Sequence, residues 1–135
     1  MADAVYGYPV RSPYPGERSY FQANPGVAGM AADDGAITLN PYASLSAEQM
    51  RSVARNEAIR LHQRDMGMRY TFPLTPHQEA FFRGSAYERD PQAARQTVVA
   101  RMLAGDDSAG EATDDQRAAA AMTQAHIDML LKRLR

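Results

Sequence analysis

Five of the eight prolines, Pro9, Pro13, Pro15, Pro25 and Pro41, fall within residues 1–44, together with five of the nine glycines. Proline has no N–H to give a ladder and glycine resists ordering, so this stretch predicts neither a helix nor a central strand. An extended or polyproline-like arm is the expectation. Its charges are few, but it carries Tyr6, Tyr8, Tyr14, Tyr20, Phe21 and Tyr42. Disordered tails are poor in aromatics, whereas tyrosine brings apolar area and a polar tip to interfaces at small entropic cost. These six are the candidate partner-binding residues of an arm laid across neighbouring subunits; the competing reading is a tail that folds back on its own helices. Ala36 to Leu39, AITL, has the pattern of a short edge strand stopped by Asn40 and Pro41.

From Leu45 onward one helix start is used three times. Ser46 with Gln49, Thr75 with Gln78 and Thr113 with Gln116 each place a hydroxyl at a cap and an amide three residues on, which predicts reciprocal capping boxes. Leu45 and Met50 add a hydrophobic staple to the first box, and Pro76 occupies a position in the second where a missing N–H is harmless. Asp90 before Pro91 predicts a fourth start, and Gly105 a stop. Residues 68–74, MRYTFPL, alternate loosely and are blocked by Pro73, so they read as an extended connector. The expected architecture is all-α: an extended arm over 1–44, then a small bundle of three to four helices over 45–135, at about 47–66, 76–83, 91–104 and 114–134.

Helical periodicity gathers Met50, Val53, Ala54, Ala58 and Leu61 on one stripe of the first helix, with Ile59 pointing elsewhere. Glu57 lies inside that stripe, where a carboxylate needs a partner; Arg60 or Arg64 of its own helix, or an Arg of another helix, is expected, the alternative being a carboxylate presented to a partner or a proton-handling site. In the last helix Ala118, Met122, Ala125, Met129, Leu130 and Leu134 form the broad apolar face, and Lys132, Arg133 and Arg135 suit its C-terminal dipole.

The chain carries a formal net charge of −1 and fourteen of its fifteen basic residues are Arg. That balance excludes wrapping by nucleic acid over the whole surface, which needs many uncompensated cations. A local basic face remains on the first helix, where Arg51, Arg55, Arg60 and Arg64 are candidates for phosphate or partner contact, interleaved with Glu48, Glu57 and Asp65. Cysteine is absent, and His62, His77 and His126 stand on three separate helices, so no metal or other cofactor is expected. No phosphate-cradling glycine loop and no nucleophile elbow is present. The reading is therefore of a non-enzymatic protein. No apolar run is long enough for a membrane span, so a soluble protein is expected.

The stretch NPYASLSAEQMRSVARNEAIRL, the later LTPHQEAFFRGSAYERDPQAARQTVVARMLAGDDSAG and the basic end resemble small proteins encoded among the structural genes of tailed bacteriophages, over roughly residues 38–117. The resemblance implies a virion component at the head-to-tail junction, on the capsid or among internal proteins, soluble in the host cytoplasm before assembly. Its partners would be other virion proteins or copies of itself. The alternative reading is a small helical protein that binds nucleic acid or a regulatory partner through the arginine face.

Overall fold

The computed structural model describes residues 4–133. The chain divides between Leu61 and His62 into two compact units. The first holds a hairpin of β1 (Ala4–Val5) and β2 (Tyr8–Pro9), helix α1 (Pro15–Ala23), a second hairpin of β3 (Gly29–Ala31) and β4 (Ile37–Leu39), and most of α2 (Ala47–Asp65). The second holds α3 (Pro76–Phe82), a 3-10 turn at Ala86–Arg89, α4 (Pro91–Ala104) and α5 (Asp114–Arg133). Among the described residues the architecture is thus mixed, five α-helices with two small antiparallel two-stranded sheets, which corrects the all-α expectation and with it the extended arm.

Residues 4–44 fold because the prolines act as punctuation. Pro15 opens α1 at a position where its absent N–H costs nothing, and Pro25 follows the end of that helix. Pro9 lies in a two-residue strand whose hairpin has an open edge, and Pro41 comes after β4. Tyr6 and Gly7 both take positive φ, 51° and 88°, the conformation of a tight two-residue hairpin turn. The AITL segment does form a strand over Ile37–Leu39, paired in register with Gly29–Ala31. Val10 bridges Ile37 in parallel, tying the first hairpin to the second.

Both hairpins are covered by α2. Ile37, Ala54, Ala58 and Leu61 make the centre of this core, with Val5, Tyr6, Tyr8, Val10, Ala31 and Leu39 packed around it. Gly29 permits the close approach: a Cβ there would stand 2.6 Å from Val53 Cγ1. Asn40, buried after β4, donates to the Val27 carbonyl at 2.7 Å and accepts from the Tyr42 N–H at 2.8 Å.

In the second unit Phe72, Phe82, Ala94, Val98, Val99 and Ala120 form the core. All three capping boxes close as their spacing implies. Ser46 and Gln49 pair at 3.1 and 2.8 Å, Thr75 and Gln78 at 3.1 and 3.0 Å, and Thr113 and Gln116 at 3.1 and 3.1 Å. Asp90 caps α4 by accepting from the Ala93 N–H at 3.0 Å, and Gly105 ends that helix with φ of 81°. The expected last helix runs to residue 134, and both Leu134 and Arg135 lie outside the described residues.

Two features escape any single-helix reading. Gln78 and Gln116 are both buried and exchange amide hydrogen bonds at 2.8 and 2.7 Å, joining the N-termini of α3 and α5. On α5 the buried residues are Gln116, Ala120, Thr123 and Ile127, whereas Met122 is 68% and Met129 51% exposed. Ala118, Met122, Ala125 and Met129 of the expected apolar face are therefore turned outward, while Leu130 is half-buried. Polar residues take the place of that face because each has an internal partner: Gln116 has Gln78, and Thr123 Oγ1 lies 2.7 Å from the Tyr70 hydroxyl.

Candidate functional site

The aromatics of the N-terminal segment separate into two groups. Phe21 is wholly buried in α1, and Tyr6 and Tyr8 are half-buried against the hairpin core. Tyr14, Tyr20 and Tyr42 are 56, 45 and 47% exposed. Phe21 is thus a structural residue of the first unit, and the accessible tyrosines reduce to three. Sequence composition cannot make this division, because it depends on which face of α1 is turned inward.

Arg11 organises the surface around Tyr14. Its guanidinium donates to both carboxylate oxygens of Glu17, at 2.7 and 3.1 Å, and to Asp34 at 3.1 Å. It also lies 3.7 Å from the centre of the Tyr14 ring, a cation–π stacking distance. Glu17 accepts the Tyr14 N–H at 2.8 Å, closing the start of α1. The paired guanidinium holds the carboxyls of Glu17 and Asp34 below their ordinary range, and Glu17 in turn raises Arg11. One arginine therefore fixes the helix, the β3–β4 turn and an exposed tyrosine ring. In the sequence Arg11 is one of the few charges of residues 1–44; its role needs Asp34, 23 residues away.

The arginines of α2 do not make a uniform basic face. Arg51 and Arg64 are exposed, while Arg55 and Arg60 are half-buried. Arg64 pairs with Asp65 at 3.0 Å. Glu57 takes the N–H of Ala31 in β3 and the field of Arg60, yet burial outweighs both and pushes its carboxyl above the usual range. The partner of the Glu57 carboxylate is thus the charge of Arg60, supplemented by a backbone N–H of Ala31 that only the hairpin supplies.

In the second unit a groove of about 670 Å³ runs between residues 66–73 and α5. Met66, Met68, Ala118 and Met122 supply its apolar lining, and Arg69, Asp115 and His126 its charges. A second hollow of about 590 Å³ near Gly105–Ala112 mixes Arg101 and Arg117 with Asp106, Asp107 and Glu111. Arg101 is occupied there by Asp106 at 3.1 Å and Ser108 at 2.6 Å. Among the described residues no group of three or more His, Asp or Glu side chains is placed to hold a metal ion. His62 is buried in α2, while His77 on α3 and His126 on α5 are exposed. Among the described residues no helix is long and apolar enough to cross a membrane. Compared with protein-family models, curated proteins and solved structures, the chain matches none.

Proposed function

We propose that this chain is a non-enzymatic structural component of a bacteriophage particle that binds neighbouring proteins through its folded N-terminal unit. The observation that supports the binding role is the exposure of Tyr14, Tyr20 and Tyr42 on a unit that keeps Phe21 inside. Exposed tyrosines supply contact area at low entropic cost, and Arg11 already holds one of the rings in place, which lowers the ordering penalty of association. The particle setting rests on the resemblance of residues 38–117 to proteins of phage structural regions, with virion proteins or copies of this chain as partners. Binding then uses side chains displayed by a compact unit rather than a strand drawn across a neighbour. The arginine-face alternative gains no comparable support, because Glu57 and Asp65 offset Arg60 and Arg64.

The test uses particles of a phage that encodes the chain. Replacing Tyr14, Tyr20 and Tyr42 together by Ser is expected to lower incorporation into purified particles more than about ten-fold, the scale set by losing aromatic anchors, while circular dichroism of the purified variant stays unchanged. Undiminished incorporation would remove the tyrosine surface from the reading. Absence of the unmodified chain from purified particles would remove the particle setting.

A further inference from the structure

Residues 68–72 behave as a strand whose ladder partner on one side is a set of side chains. Gln92 of α4 accepts the Tyr70 N–H at 2.7 Å and donates to the Tyr70 carbonyl at 3.0 Å. Gln96 donates to the Met68 carbonyl at 2.9 Å, and Arg95 to the Phe72 carbonyl at 2.7 Å. Alternate residues are therefore bonded to α4. In an extended chain the bonding groups of successive residues point to opposite edges, so those of Arg69 and Thr71 form the other edge. Both residues are exposed and line the groove against α5, and their main-chain groups have no hydrogen-bond partner among the described residues.

Beside that free edge lies the outward-turned apolar face of α5, with Ala118 and Met122 on the groove wall and Met66 and Met68 at its end. A backbone edge flanked by an apolar floor is the arrangement that accepts an added strand: the main chain gives affinity, and alternate side chains fall into the groove. Methionines make such a floor adaptable to side chains of different shape. The charges give it polarity. Gln116 donates to the Pro73 carbonyl at 3.2 Å and Tyr70 meets Thr123, so residues 66–73 run antiparallel to α5. Asp115 consequently marks the Pro73 end, and His126 with Arg69 the Met68 end.

We infer that the groove between residues 66–73 and α5 is a docking site for an extended peptide segment of a partner protein, added antiparallel to the Arg69–Thr71 edge. Its occupant has apolar side chains at alternate positions, a basic residue toward its N-terminus facing Asp115, and an acidic residue toward its C-terminus facing Arg69 and His126. The antiparallel sense follows from the greater stability of that pairing. The site uses none of the three exposed tyrosines, so either can fail without the other.

The probe is a panel of labelled heptapeptides, Ac-Lys-x-Thr-x-Thr-x-Glu-NH2 with Val, Leu or Phe at each x, titrated against the full chain by fluorescence anisotropy, with amide shifts followed by NMR. At least one member is expected to bind and to shift the Arg69 and Thr71 amides. Methylating the peptide nitrogens that face this edge should weaken binding more than about ten-fold, while methylating the alternate nitrogens should change it little. Exchanging the terminal Lys and Glu should also weaken it. Met122→Asp, at an exposed position that leaves the fold intact, should do the same with an unchanged circular dichroism spectrum. Failure of every peptide at about 1 mM, the weak limit for recognition of this kind, would overturn the site. So would binding indifferent to the methylation pattern. Self-association abolished by Met122→Asp without peptide binding would overturn the occupant and give the groove to a second copy.

Discussion

Glu57 and Arg11 show how differently two charged side chains in one unit can stand. Arg11 has two carboxylates, a carbonyl and an aromatic ring around it, so its charge is compensated. Glu57 has one backbone N–H and the field of Arg60, and burial still lifts its carboxyl above the ordinary 4.5. A carboxyl whose folded pKa is raised binds its proton more tightly in the native state. Stability linked to it is fully present below about 4.5 and falls as pH rises through the folded value. At neutral pH Glu57 therefore carries a penalty. Glu57→Gln keeps an oxygen for the Ala31 N–H and removes the charge, so it should melt at a higher temperature than the parent at pH 7, with the difference closing toward pH 4.5. Thermal melts across that range decide it; a variant less stable at pH 7, or an offset independent of pH, would contradict the assignment.

At the scale of elements the three capping boxes share one chemistry but differ in surroundings. Gln49 is exposed and serves only its own helix. Gln116 caps α5, pairs with Gln78 of α3 and holds the Pro73 carbonyl. Gln49→Ala should cost about 0.5 kcal/mol, the low end for a lost cap. Gln116→Ala strands the buried Gln78 amide and should cost about 2 kcal/mol. Urea unfolding followed by circular dichroism measures both. Equal losses would mean that the buried amide pair contributes nothing beyond two separate caps. The same pair explains the orientation of α5: once Gln116 and Thr123 are bonded inside, Met122 and Met129 must face out.

At the scale of the whole molecule the net charge is −1 and the isoelectric point lies near 6.3, so charge repulsion between copies is weak close to neutrality. Exposed rings and methionines then have the larger influence on association. Solubility should be lowest near pH 6.3. The Tyr14→Ser, Tyr20→Ser, Tyr42→Ser variant, whose charge there is unchanged, should stay dispersed to higher concentration, as light scattering would show. Identical scattering from variant and parent would show that these rings do not drive contacts.

What the sequence determines by itself is what a few adjacent residues can decide. A capping box is written in four positions, and its hydrogen bonds form wherever the helix starts, so all three could be read directly; so could the stop at Gly105 and the short strand before Asn40. The prolines of residues 1–44 were legible as breaks but not as an arm or a fold, because proline punctuates both. The surface of α2 decided it, giving Ile37 and its neighbours a place to bury. Tertiary structure also decided which face of α5 is inside. Periodicity counts apolar residues on one helix, whereas burial of Gln116 and Thr123 depends on Gln78 and Tyr70, 38 and 53 residues away. The exposed edge at Arg69 and Thr71 has the same origin: the connector is held along one edge only, because the side chains of Gln92, Arg95 and Gln96 on α4 bond Met68, Tyr70 and Phe72.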